Sequence, residues 1–89
     1  MNIVIVGTGY VGLVSGVGFA EQGHKVSFID LDIDKIQNLK NKQLPFFEPE
    51  LDHYFEKDEN FSRMSFHSSY ESIDWQLIDI VFICVQTPN

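Results

Sequence analysis

The sequence predicts an α/β fold built on an open parallel sheet, and three observations carry that expectation. Two unbroken apolar runs, Ile3 to Val6 and Ile80 to Val85, stand near opposite ends of the chain, and a second strand pattern, Val26 to Ile29, lies between them. Such runs suit strands covered on both faces, as in parallel sheets, rather than the alternating strands of a sheet with one wet face. Glycines at positions 7, 9 and 12 separate the first run from a stretch of helical periodicity. The 89 residues are 44% apolar and 21% charged, which describes one globular unit and excludes a multidomain enzyme on this chain.

Ile3 to Val6 forms the first strand, bounded by Gly7. Tyr10, Leu13, Val14 and Val17 recur at i, i+3, i+4 and i+7, and Gly23 follows as a stop signal, so an amphipathic helix of about twelve residues is expected. Gly16 and Gly18 fall inside it, where each costs about 1 kcal/mol against alanine; close packing against another backbone is the expected reason. Val26 to Ile29 is the second strand, closed by Asp30, and completes a βαβ unit of right-handed crossover. Ile33, Ile36 and Leu39 share a face, Asp32 and Asp34 stand at its start and Lys40 and Lys42 at its end, which matches a helix over 32–42 with Asp32 as cap.

Pro45 and Pro49 bracket a rigid aromatic loop, after which Leu51, Tyr54 and Phe55 resume helical spacing. Six carboxylates between Glu48 and Glu59, relieved only by Lys57, read as a solvated helix face rather than a metal site. Glu48 suits either a turn-stabilising role or an approach to a substrate. Arg63 to Phe66 is a short strand, Tyr70 to Trp75 a helical turn or short helix, and Ile80 to Val85 a last, buried strand. Met64, Trp75 and the remaining aromatics are expected in the core, as is Cys84. The order β-α-β-α-(α)-β-(α)-β gives about four parallel strands in the order 3-2-1-4 with helices on both faces, which is a partial Rossmann fold. Nothing of the chain lies beyond the last strand, so its apolar edge is a liability and a surface through which copies of the chain associate.

Thirteen acidic residues against six basic ones give a net charge of −7, with no basic cluster to follow a phosphate backbone, so nucleic acid is not an expected partner. A single cysteine makes no internal disulfide, and no Cys/His set has zinc spacing. The first apolar run is far short of the roughly 18–20 residues of a membrane span, and a cytoplasmic chain is expected. His24, His53 and His67 are given no role. A chain this short buries only about 60–65% of its unfolded surface, which already points to part of a larger domain.

The chemistry is concentrated in Gly7-Thr8-Gly9-Tyr10-Val11-Gly12, a G-x-G-x-x-G pattern placed between a buried strand and a helix. Gly7 permits the tight turn, Gly9 lets backbone approach a pyrophosphate, and Gly12 allows the helix to sit close to the strand. The free N–H groups and positive dipole end of the helix then face the phosphates. Asp30 ends the second strand eighteen residues beyond Gly12. A carboxylate there accepts from the adenosine ribose hydroxyls and repels a 2′-phosphate, so the expected cofactor is NAD rather than NADP.

Over essentially all of its length the chain resembles the UDP-glucose/GDP-mannose dehydrogenases, nearest to the UDP-glucose-oxidising members. The resemblance rests on Gly7 to Val14, on Gly23-His24-Lys25-Val26 leading to Asp30, on Asp32 to Leu39 with Lys35, on Pro45 to Leu51, and on Val85-Gln86-Thr87-Pro88. Glu50 stands where the family usually has glycine, and Phe47 where tyrosine is common. The resemblance implies that Val11, Asp30, Lys35 and Thr87 contact NAD and that Val85, Gln86 and Pro88 shape the floor beneath it. It also implies that residues 1–89 are the N-terminal part of an NAD-binding domain, without that domain's remaining strands or the sugar-nucleotide domain. Members of the family oxidise the C6 alcohol of a nucleotide sugar to a carboxylate in two NAD-dependent steps through a cysteine-bound intermediate. Their catalytic groups lie beyond the stretch matched here, so this chain is expected to be inactive alone. GDP-mannose and UDP-N-acetylmannosamine are the alternative substrates. A stand-alone NAD-sensing or interaction module, or an inactive truncated remnant, are the alternative readings.

Overall fold

A computed structural model describes residues 1–85. Its elements run β1 (Asn2–Val6), α1 (Tyr10–Glu21), β2 (Lys25–Ile29), α2 (Ile33–Lys40), α3 (Pro49–Glu56), α4 (Asp58–Phe61), β3 (Met64–His67), two 3₁₀ turns (Tyr70–Ser72 and Trp75–Leu77) and β4 (Ile80–Ile83). The four strands form one sheet in the order β3-β2-β1-β4. All pairings are parallel, with Ile3 opposite both Val26 and Ile80, and Val26 opposite Met64. The partial Rossmann arrangement expected from the sequence is the one observed.

Alternation along the strands divides the core into two layers. Ile3, Ile5, Val26, Phe28, Met64 and Phe66 face Leu13, Val17 and Ala20 of α1, Ile36 and Leu39 of α2, and Leu51 and Phe55 of α3. Phe28 and Phe66 stack at 5.3 Å between centroids, and Phe55 meets Phe66 edge-on at 6.0 Å. Val4, Val6 and Ile29 point the other way and are covered by Ile73 and Ile78 from the 3₁₀ segment. The helices therefore divide unequally, with all four α-helices over one face and two single turns over the other.

Several local expectations need correction. The inward face of α1 is Gly12, Leu13, Gly16, Val17 and Ala20, while Tyr10 and Val14 point outward. Small residues let the helix lie close to the sheet, and periodicity counted on large side chains overlooks them. Gly16 does have a close neighbour, but it is the Phe28 ring and not a backbone, and Gly18 has none. In α2 the helix closes at Lys40, and Ile33, on its first turn, is 68% exposed, leaving Ile36 and Leu39 to anchor it. Trp75 is exposed, its ring stacked on Tyr70 and its indole N–H donating to the Tyr70 carbonyl, and Phe47, Tyr54 and Tyr70 are exposed with it. Tyr70 and Trp75 pack on each other and Tyr54 meets His53 edge-on, while Phe47 is 85% exposed.

β4 is shorter than its apolar run and is not buried. Ile80, Val81, Phe82 and Ile83 all remain exposed, Ile83 at 73%. The strand pairs with β1 along one edge only, and Phe82 stacks on Phe19 of α1 as its main cover. Cys84 follows it half-buried against the core, its N–H donating to the Val6 carbonyl. One buried polar group carried no signal in the sequence. Asn60 donates to Glu21 and to the Tyr54 carbonyl, while Arg63 reaches Asn60 and the Ala20 carbonyl, closing the C-terminal end of α1 where a cation is favoured.

Candidate functional site

The turn between β1 and α1 is fixed by its neighbours on both sides. The Gly7 N–H donates to the Ile29 carbonyl at 2.8 Å, and Gly7 takes φ +102°, a conformation side chains other than hydrogen rarely adopt. A Cβ at Gly7 would also stand 2.8 Å from the Cys84 carbonyl oxygen. At Gly12 a Cβ would collide with the Gly7 carbonyl, so the first turn of α1 sits directly against the loop. Gly9, the N-cap, is different in kind, since nothing lies within 4 Å of where its Cβ would be. The backbone is thus open to approach from outside at Gly9 and closed at the other two positions.

No side chain caps α1, and its first turn holds no acidic residue. Its first backbone bond runs from the Leu13 N–H to the Gly9 carbonyl. Among the described residues no group accepts from the N–H of Gly9, Tyr10, Val11 or Gly12. Four donors and the positive end of a twelve-residue helix dipole therefore converge at this point, an arrangement suited to an anion.

Asp30 stands at the tip of β2 beside this turn, held by its N–H donating to the His67 carbonyl. Its Oδ2 accepts from the Thr8 N–H at 3.0 Å and from the Thr8 hydroxyl at 2.7 Å, and its Oδ1 accepts from the Asp32 N–H at 3.0 Å. The Lys35 ammonium lies 4.0 Å from Oδ2. Partial burial works against ionisation of Asp30, but the hydrogen bonds from Asp32 and Thr8, assisted by Lys35, outweigh it and hold the carboxyl below its ordinary pKa. Asp32 caps α2 by accepting from the Lys35 N–H, which leaves Asp30 free of that task.

Val6, Gly7, Ile29, Asp30, Leu31, Tyr70 and Val85 line a crevice of about 180 Å³ at the carboxyl ends of β1, β2 and β4. This is the topological switch point of the sheet, where open α/β folds hold ligands. Larger cavities lie elsewhere. The one of about 380 Å³ contains Ser27, Ser65, His67 and Ser72, whose polar atoms are bonded to one another.

Of the residues singled out in the sequence, Gly7, Thr8, Asp30, Lys35 and Val85 are brought together, and Gly9, Val11 and Gly12 line the adjoining helix end. Thr8 is fully buried and its side chain meets Asp30 rather than the open crevice. The Tyr10 ring stacks on Phe46 at 5.2 Å on the far side of the turn, so Tyr10 offers the site its N–H and not its phenol. Gln86, Thr87 and Pro88 lie outside the described residues. Glu48 caps α3 through the Glu50 N–H, which realises the turn-stabilising alternative. Leu31 and Tyr70 were missed. No local pattern marks either residue, because their meeting at the crevice depends on the fold. Among the described residues no acidic, histidine or cysteine cluster suits a metal ion.

Residues 1–89 match the family model described as the UDP-glucose/GDP-mannose dehydrogenase family, NAD binding domain. The chain is 47% identical to the UDP-glucose 6-dehydrogenase YwqF of Bacillus subtilis over 89 residues, all of this chain and 20% of the relative. Its fold is similar to that of a GDP-mannose dehydrogenase from Pseudomonas aeruginosa, with TM-score 0.86 and 32% identity over 99% of this chain and 20% of that one. A UDP-D-ManNAc dehydrogenase from Pyrococcus horikoshii gives TM-score 0.86 and 28% identity over 99% of this chain and 21% of that one. The chain thus spans about a fifth of the length of the curated relatives it matches.

Proposed function

The chain belongs to the UDP-glucose/GDP-mannose dehydrogenase family, and from that premise we propose that it is the first part of the NAD-binding domain of a UDP-glucose 6-dehydrogenase. The observation that carries this reading is the pairing of unsatisfied amides at the start of α1 with an ionised carboxylate at the tip of β2. The residues fit the cofactor on structural grounds. The gap over Gly9 admits a diphosphate to the amides of Gly9, Tyr10, Val11 and Gly12, and Asp30 with Lys35 receives the adenosine ribose. Val85 forms the floor, joined in this reading by Gln86, Thr87 and Pro88. When bound, NAD supplies a hydride acceptor for oxidation of a substrate alcohol. What this chain's residues do is bind, orient and discriminate, because a carboxylate at position 30 repels the extra phosphate of NADP.

UDP-glucose is favoured over GDP-mannose and UDP-N-acetylmannosamine by the names of the curated relatives, UDP-glucose 6-dehydrogenases at 40–47% identity, whereas the solved enzymes for all three sugars stand together at 28–32%. Cys84 is packed against the core rather than offered as a nucleophile, and the 89 residues alone are proposed to be without turnover. The NAD reading and the single cysteine together support a cytoplasmic setting, and among the described residues no helix is long and apolar enough to cross a membrane. Calorimetric titration with NAD and NADP tests the cofactor reading. Saturable heat with NAD and much weaker heat with NADP is expected, and equal affinity for the two overturns it.

A second reading is favoured by the exposed apolar edge of β4, which suits a module that pairs with another copy. Light scattering behind size exclusion separates the two, since a discrete dimer supports the module and ill-defined, concentration-dependent aggregation supports the dehydrogenase portion alone.

A further inference from the structure

We propose that Thr8 is a positioning residue for the cofactor site, its buried hydroxyl and N–H clamping the Asp30 carboxylate in the orientation that receives a ribose. This rests on the NAD reading above. Thr8 occupies one of the unspecified positions of the glycine pattern, where the side chain is ordinarily free to vary. Here it is fully buried, and its side-chain and main-chain donors converge on the same oxygen, Oδ2, at 2.7 and 3.0 Å. Asp32 holds the other oxygen through its N–H. Of the roughly four lone-pair sites on a carboxylate, three are then engaged, and the one left is on Oδ1. The carboxylate is therefore fixed in rotation and offers a ribose hydroxyl a single defined acceptor.

The charged groups around Asp30 are Lys35, 4.0 Å from Oδ2, and Asp32, whose own carboxylate is turned to the Lys35 N–H. Neither replaces the clamp. Lys35 is a long side chain at the limit of ion-pair distance, and Asp32 touches Asp30 only through its backbone. Without the Thr8 hydroxyl only the Thr8 and Asp32 N–H groups hold the Asp30 carboxylate, and its other staggered χ1 wells become accessible. With the wells equally filled the competent fraction falls to about a third, so the apparent affinity for NAD drops about two- to threefold.

The test is a cycle of Thr8→Val and Asp30→Ala, with NAD affinity read by calorimetry and the Asp30 carboxyl titrated by carbon-13 NMR without NAD. Thr8→Val keeps the shape and deletes the hydroxyl; Thr8→Ser restores it. We expect Thr8→Val to weaken NAD binding about two- to threefold in the parent chain and not at all in Asp30→Ala, the non-additivity of residues acting as one unit. The Asp30 carboxyl pKa should rise in Thr8→Val and return in Thr8→Ser. Equal losses in both backgrounds overturn the proposal, because Thr8 then acts on the cofactor without Asp30. An unmoved carboxyl titration overturns it whatever the affinity does. If the parent chain takes up no NAD while the titration moves as expected, the cofactor reading fails and reduces the clamp to a structural contact. Should Thr8→Val not fold, Thr8→Cys, close in size and a weak donor, carries the same measurements.

Discussion

Three glycines of α1 face three different surroundings, so one substitution made at each tests the placement of the helix against the sheet. Alanine at Gly18 meets nothing within 4 Å and gains only helix propensity, about 0.5–1 kcal/mol of added stability. Alanine at Gly12 gains the same propensity but drives its Cβ into the Gly7 carbonyl, a backbone atom pinned by the Gly7 bond to Ile29. Overpacking of this kind costs about 1–3 kcal/mol, and a backbone obstacle puts it at the upper end, for a net loss of about 1–2 kcal/mol. At Gly16 the obstacle is the Phe28 ring, itself fully buried and stacked on Phe66, and the net effect is again a loss, of about 1 kcal/mol. Against a total stability of about 4–13 kcal/mol for a chain of this size, all three shifts are measurable. With a urea slope of about 1 kcal/mol/M, Gly18→Ala raises the midpoint by about 0.5–1 M and Gly12→Ala lowers it by about 1–2 M. The same direction of shift at positions 12 and 18 refutes the contact geometry on which the amide arrangement depends.

Other outcomes follow from the same structure. Asp30→Ala removes a charged acceptor worth about 1.5–3 kcal/mol and should weaken NAD binding about ten- to hundredfold, measured by calorimetry; unchanged affinity removes Asp30 from the site. The folded-state pKa of Asp30 is depressed below 3.8, so its contribution to stability is complete above that value and is lost as pH falls through the folded pKa; Asp30→Asn should abolish that acid step in a melting series. Burial of His67, with help from Lys40, lowers its pKa below 6.5, so stability should also decline as pH falls from 6.5 toward the depressed value, and His67→Gln should flatten that region. Ile83→Lys puts a charge on the exposed β4 edge and should reduce concentration-dependent association in light scattering with little change in the melting midpoint; undiminished association places the contact elsewhere.

The strand order and the glycine turn were legible because both rest on local patterns. Ile3 to Val6 is apolar on both faces, Val26 to Ile29 is so apart from Ser27, and both faces of the sheet are covered. β4 carries the same pattern yet is exposed, because composition records what a strand requires and not whether a neighbour is there to supply it. The inner face of α1 was misread for the opposite reason. Gly12, Gly16 and Ala20 bury themselves by being small, and hydrophobic periodicity gives them no weight. At the site, the glycines and Asp30 stood out by spacing, but the bond between Thr8 and Asp30 joins residues 22 apart and depends on the turn of β1 meeting the tip of β2. Leu31 and Tyr70 reach the crevice from two loops whose meeting no local pattern encodes.

The central claim is that the amides opening α1 hold the diphosphate of NAD while Asp30 holds its ribose. Nitrogen-15 NMR of the chain titrated with NAD tests it most directly. Saturable shifts should be largest at Gly9, Tyr10, Val11 and Gly12, extend to Asp30 and Leu31, and collapse in Asp30→Ala at the same NAD concentration. Saturable shifts centred on any other surface, with these amides unmoved, contradict it.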